Sequence, residues 1–184
     1  MNRVFSYSAV NKSKYDFAFA SENSFFLAAA FASIIIPIVL HSQAFPNQLI
    51  VGTIVNALLA LCALFLDFKK SIPVILLPAI AALASGFVFG AFTPALLFLV
   101  PFIWAGNAVY VYALKSLKVV NGSNYILSLV CSSLLKAALI GVGTFILILA
   151  GLVPEILLIP MSLVQFATAV LGGAIAGSAL YLRK

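Results

Sequence analysis

Six long apolar runs, separated by gaps that carry lysine and arginine only alternately, constrain this chain more than any other feature. Arg3, Lys12 and Lys14 precede the first run. Lys69 and Lys70 lie between the second and third, Lys115 and Lys118 between the fourth and fifth, and Arg183 and Lys184 follow the sixth. The other gaps, His41 to Gln48, Phe87 to Pro94 and Val153 to Glu155, contain neither residue type. Basic residues flanking membrane spans are retained in the cytoplasm during insertion, so nine of the ten mark one face. The pattern predicts an all-α integral membrane bundle of six transmembrane helices with both termini cytoplasmic.

Composition agrees. Hydrophobic residues make up 65% of the chain and charged residues 8%, whereas a water-soluble domain carries about 25% charged residues. So little charge cannot cover a surface facing water, and lipid is the expected solvent. The net charge of +6 does not point to nucleic acid, because the basic residues are scattered over four segments and form no stripe or motif. They set topology and meet anionic lipid.

The spans read as Ser24–Leu40, Leu49–Leu66, Ser71–Gly86, Ala95–Leu114, Tyr125–Leu152 and Ile156–Leu182. Crossing the hydrocarbon takes about 20 helical residues, with a range near 17–25; the fifth and sixth runs are long enough to tilt. Barrel strands would alternate in polarity, and these runs do not. The chain thus divides into a cytoplasmic tail, residues 1–23, and a six-helix domain, residues 24–184. The tail mixes Phe5, Tyr7, Tyr15, Phe17 and Phe19 with basic residues, a composition suited either to the membrane interface or to a tail that only sets topology. Ser21 or Asn23 is placed to cap the first helix. Ser42-Gln43-Ala44 after the first run resembles a signal-peptide cleavage site. Against cleavage stand the long tail and the acidic Asp16 and Glu22 beside the run.

Missing residues exclude several chemistries. No GxxxxGK[ST] phosphate loop is present. Cys62 and Cys131 are the only cysteines, too few for an iron–sulfur cluster, which takes about four thiolates; both read as small packing residues. His41 is the sole histidine, so neither a haem pair nor a histidine-rich metal site is expected. No acidic residue lies within a span, except Glu155 at an end, which argues against proton or sodium pumping. No acid–base or nucleophile pair falls in the spans, so no catalytic residue, cofactor or enzymatic activity is expected.

Polar residues inside the spans are the candidate site. At the helical rise of about 1.5 Å per residue, Asn56 lies about 10 Å and Gln165 about 13 Å below the outer boundary, and Asn107 about 18 Å below it. Lys136 lies about 16 Å from the cytoplasmic boundary. Helices two, four, five and six therefore have the means to converge on one polar cavity. Asn56 and Gln165 serve equally as hydrogen-bonded cross-links between helices. Asn107 belongs to Pro101-Phe102-Ile103-Trp104-Ala105-Gly106-Asn107. There Pro101 frees a carbonyl, Gly106 admits a close neighbour and Trp104 offers a ring face for stacking. Lys136 either snorkels toward headgroups or meets an anionic group on a substrate, since a buried ammonium needs a partner. The outer loops add His41, Gln43, Phe45, Gln48, Phe87, Phe89, Phe92 and Thr93, read either as a lid over the pocket or as an aromatic belt. Small-residue strips, Ala28 and Ala32 on the first span and Ala169, Gly173 and Gly177 on the sixth, allow close helix approach.

The whole chain resembles the substrate-binding S component of an energy-coupling-factor (ECF) vitamin transporter. The resemblance rests on about 180 residues in six spans, the Ala28-xxx-Ala32 strip, and two segments. These are Asn47-Gln48-Leu49-Ile50-Val51-Gly52-Thr53-Ile54-Val55-Asn56-Ala57 and Val100-Pro101-Phe102-Ile103-Trp104-Ala105-Gly106-Asn107-Ala108. It implies a subunit in the cell membrane of a prokaryote that captures a vitamin or related small molecule from outside. Trp104, Asn107, Lys136, Gln165, Asn56 and Gln48 are its implied substrate-binding residues. Ala28 and Ala32 would dock on a transmembrane coupling subunit powered by two cytosolic ATPases, and the S component would topple in the bilayer to release its cargo. Some relatives have been labelled iron hydrogenases, which the absence of cysteine clusters contradicts. Two other classes compete: the core subunit of a membrane redox or ion-translocating complex, with Lys136 as a charge relay, and a membrane enzyme or assembly factor acting on lipids.

Overall fold

The computed structural model describes residues 22–40, 45–86 and 90–181, and among them there is no β-strand. Six helices follow in order: α1 (Glu22–Val39), α2 (Phe45–Phe65), α3 (Phe68–Ser85), α4 (Thr93–Leu114), α5 (Tyr125–Leu149) and α6 (Gln165–Tyr181). A wide π turn, Lys115–Val120, extends α4, and a second, Pro160–Val164, leads into α6. Five stretches are long and apolar enough to cross a bilayer: Gln48–Phe65, Phe68–Ser85, Thr93–Val120, Tyr125–Leu149 and Glu155–Ser178. The apolar part of α1, Asn23–Val39, falls in a shorter class. Calls on the tail before Glu22, on His41, Gln43, Phe87 and Phe89, and on Arg183 and Lys184 lie outside the described residues.

Local chemistry sets the helix ends. Asn124 caps α5, its side-chain oxygen accepting from the amides of Ile126 (2.9 Å) and Leu127 (3.3 Å). Gly86 ends α3 at φ 70°, a left-handed conformation that costs a side-chain-bearing residue energy. Thr93 Oγ1 then donates to Gly86 O at 2.9 Å and draws the two ends of the α3–α4 connection together. Asn23 sits within the first turn of α1, not before it, and its Oδ1 accepts from Lys70 Nζ at 3.0 Å.

Lys115 departs from its reading as a charge meeting lipid headgroups. The π turn carries it inward, where it is buried and its ammonium donates to Leu66 O (2.7 Å) and Ala63 O (3.3 Å). Those carbonyls belong to the last turn of α2 and the residue after it, where a cation offsets the negative end of the helix dipole.

The α2 helix is the axis of the bundle and packs against α1, α3, α4 and α6, while α4 pairs closely with α5. Two apolar cores result. One gathers Leu59, Ala63, Leu66, Val111, Leu114 and Leu129, toward the end that carries the Lys69–Lys70 and Lys115–Lys118 connections. The other gathers Ala79, Leu96, Leu99, Ile140, Leu157 and Met161, toward the end without basic residues. Every helix also exposes large apolar side chains, among them Phe31, Ile50, Ile72, Leu97, Leu134 and Leu171. An apolar exterior of that extent is what lipid, not water, solvates.

Candidate functional site

A polar layer separates the two cores and floors a partly open cavity of about 90 Å³. The cavity lies between α2, α3, α4, α5 and α6, with Pro37 of α1 at its edge. Val51, Val55, Pro78, Leu96, Ile103 and Met161 are among its apolar lining, and Gln48, Asn56, Asn107, Lys136, Gln165 and Thr168 supply its polar groups. Gln48, Ala82, Leu96 and Met161 lie toward the connections 41–44, 86–92 and 150–154, while Asn56, Asn107 and Lys136 lie near the middles of their helices, so the cavity runs from the middle of the bundle toward the end whose connections lack lysine and arginine.

Lys136 occupies the floor. Its side chain is only 2% exposed, its Nζ donates to Asn56 Oδ1 at 2.5 Å, and it stands 5.5 Å from the ring centroid of Tyr110. The ring face attracts the cation, while the Tyr110 hydroxyl donates to Ala169 O at 3.0 Å and fixes the ring against α6. Asn56 Nδ2 donates to Thr168 Oγ1 at 3.0 Å. Thr168 Oγ1 donates in turn to Val164 O at 2.8 Å, one helical turn back, the usual outlet for a threonine hydroxyl inside a helix. An ammonium can only donate, so Asn56 must present its oxygen to Lys136 and its amide nitrogen to Thr168. Among the described side chains the acids are Asp67 and Glu155, both exposed at helix ends, and neither pairs with Lys136. Gln48 Nε2 is buried without a hydrogen-bond partner.

Lys136 therefore does not extend toward headgroups; its ammonium stays within the bundle. Asn56, Asn107, Lys136, Gln165 and Gln48 all line one cavity. Trp104 is absent from that lining, and its indole Nε1 donates to Leu76 O at 3.0 Å. Asn107 Nδ2 makes a parallel bond to Ile75 O at 3.2 Å. Both carbonyls lie in the turn before Pro78, whose missing amide leaves Val74 O, next to them, without its helical donor. Trp104 and Asn107 thus clamp α4 onto a proline-interrupted stretch of α3, and Pro78 itself forms part of the cavity wall. Gly106 brings α4 against α5, since a β-carbon there would stand 2.6 Å from the Ile140 side chain.

Thr168 and Tyr110 were not singled out from sequence. Each lies three residues beyond a residue that was, Gln165 and Asn107 respectively, and an i, i+3 pair shares one helix face. Cys62 is buried and Cys131 half-buried, and both are free thiols. Among the described residues no group of three His, Cys, Asp or Glu side chains is placed to hold a metal.

The two small-residue strips differ in kind. Ala169, Gly173 and Gly177 are buried in the internal seam of α6, where Gly173 meets Leu129 and Tyr110 and Gly177 meets Tyr125. On α1 the inward positions are Ala29 and Ser33, leaving Ala28 exposed and Ala32 half-buried.

Comparison of the chain with protein-family models, curated proteins and solved structures gave no match.

Proposed function

We propose that the chain is the substrate-binding membrane subunit of an energy-coupling-factor importer in a prokaryotic cell membrane, with six spans and both termini cytoplasmic. The position of the cavity carries the reading. It reaches from the middle of the bundle toward the end remote from the basic connections, the end that the charge rule assigns to the outside. A solute entering from there meets a polar floor at Lys136, Asn56 and Thr168. Beneath the floor, Leu59, Ala63, Leu66, Val111 and Leu114 are packed without exposure to solvent. A binding chamber closed below is suited to capture, and delivery then needs a partner that reorients or opens the bundle. Ala28 and Ala32 offer the small, outward-facing surface on α1 where a helix of such a coupling subunit fits closely, and two cytosolic ATPases would supply the energy. A vitamin or a related small molecule is the cargo this reading expects.

The test is native mass spectrometry of the purified chain, together with uptake in cells that express the coupling subunit and ATPases. A bound molecule of vitamin size is expected. Ala28→Leu with Ala32→Leu should abolish uptake while the bound molecule is retained. Unchanged uptake would remove the docking assignment. An empty chain that co-purifies with cluster-bearing redox subunits would replace this reading with that of a core subunit in a membrane redox or ion-translocating complex.

A further inference from the structure

We infer that the occupant of this cavity is a small monoanion of the carboxylate class, its charge held by Lys136 and a second acceptor held by Gln48; the inference rests on the solute-binding reading of the same cavity. The direction of the hydrogen bonds carries it. Lys136 donates to Asn56, Asn56 to Thr168, and Thr168 to Val164 O. Each step consumes an acceptor, and donation runs away from the cavity into the backbone of the π turn before α6. What is left over is positive: the ammonium has further N–H bonds with no acceptor among the described residues, and Gln48 Nε2 has none either. Both side chains line the cavity. The ammonium and Gln48 Nε2 call for acceptors on a ligand, while the side-chain oxygens of Asn107 and Gln165 leave room for a donor beside them.

The charge of the ligand follows from the same inventory. Protonated, Lys136 has no carboxylate partner among the described residues, a costly arrangement in an apolar bundle that one negative charge relieves. A dianion would leave a second charge uncompensated, because Lys136 is the one cation among the described residues that line the cavity. Gln48 lies eight residues before Asn56 on α2, about 12 Å along the helix axis. The anionic group therefore sits at the floor and the second acceptor nearer the mouth. Between them the wall is apolar, with Val51, Val55, Leu96, Ile103 and Met161, so the connecting body is a compact ring or branched chain.

Benzoate and benzamide form a matched pair of probes that share a ring and differ in charge. Thermal unfolding of the full chain in detergent is measured with each. Benzoate should raise the melting temperature by about 4 °C at roughly ten times its Kd, benzamide should raise it less, and Lys136→Met should abolish the difference. The wild-type comparison stands even if Lys136→Met does not fold, and Lys136→Arg, which keeps the charge, should retain the benzoate preference. Equal stabilisation by the two probes, or a benzoate effect that survives in Lys136→Met, would overturn the assignment. Inert benzoate with a neutral molecule bound in the native mass spectrum would overturn the anion assignment and leave the solute-binding reading standing. Inert benzoate with an empty chain would remove both.

Discussion

Replacing Gly172 by alanine tests whether helix packing holds the polar floor together. Gly172 lies on α6 where that helix meets α2, four residues after Thr168. A β-carbon at this position would stand 2.4 Å from Thr53 O, 2.6 Å from Ala57 N and 2.8 Å from the carbonyl carbon of Asn56. All three are backbone atoms, so no change of rotamer relieves the clash. Ordinary contact begins near 3.4 Å, and the two helices must part by about 1 Å to reach it. The Asn56–Thr168 bond, 3.0 Å long and one turn away, would then approach a length at which it no longer counts as a hydrogen bond. Overpacking costs about 1–3 kcal/mol and loss of an interhelical bond about 0.6–1.7 kcal/mol, together about 2–5 kcal/mol. For a chain of this size that corresponds to a fall in Tm of roughly 4–20 °C. The assay is thermal unfolding in detergent, with Gly52→Ala as the comparison. A β-carbon at Gly52 meets Thr168 Cγ2 at 3.1 Å, a side-chain atom that must yield only a few tenths of an ångström. Its Tm should fall by less than about 4 °C. A Gly172→Ala protein as stable as the wild type, or one more stable than Gly52→Ala, would refute the close crossing of α2 and α6 and the geometry of the floor with it.

Two further substitutions separate stability from binding. Lys115→Met removes the donor to Ala63 O and Leu66 O and should cost about 1.5–3 kcal/mol; since Lys115 lies at the opposite end from the cavity, the melting temperature should fall while the benzoate shift persists. Tyr110→Phe deletes the bond to Ala169 O, worth about 0.6–1.7 kcal/mol, but keeps the ring face beside Lys136. Tyr110→Leu also loses the cation–π contact, a further loss of about 0.5–2 kcal/mol, so identical melting of the two variants would show that the ring does nothing for the ammonium.

Helix positions were legible because each span is a long apolar run bounded by polar or turn-forming residues. The run Ser71–Gly86 became α3, Phe68–Ser85, and the run Ala95–Leu114 became α4, Thr93–Leu114. Facing was not legible. A helix solvated by lipid is apolar on every side, so its sequence carries little amphipathic signal to tell inside from outside. That is why Trp104 reads as a ligand-stacking face when its indole instead bonds the backbone of α3. Lys115 was hidden for a different reason: charge alone places it in a basic connection, and only the π turn carries it back to the end of α2. Thr168 was masked by ordinariness, since a threonine in a membrane helix normally satisfies itself on the preceding turn, and its second role appears only when Asn56 is seen beside it.

The cost of Lys136 and the selectivity proposed for the cavity have one origin. A neutral side chain of similar length at position 136 would spare the bundle a buried charge, and replacing buried ions by apolar groups is often neutral or stabilising. Asn56 and the Tyr110 ring solvate the ammonium in part, but neither brings a negative charge. The described residues therefore leave the protonated side chain without a counter-charge, against the general expectation that local choices in a sequence agree with stability except where function overrides them. Under the reading proposed above, a carboxylate supplies that counter-charge and a neutral analogue of the same shape does not. Discrimination then arises less from the fit of the apolar walls, where one methylene is worth about 1–3 kcal/mol, than from the charge that Lys136 and an anionic ligand share at the floor.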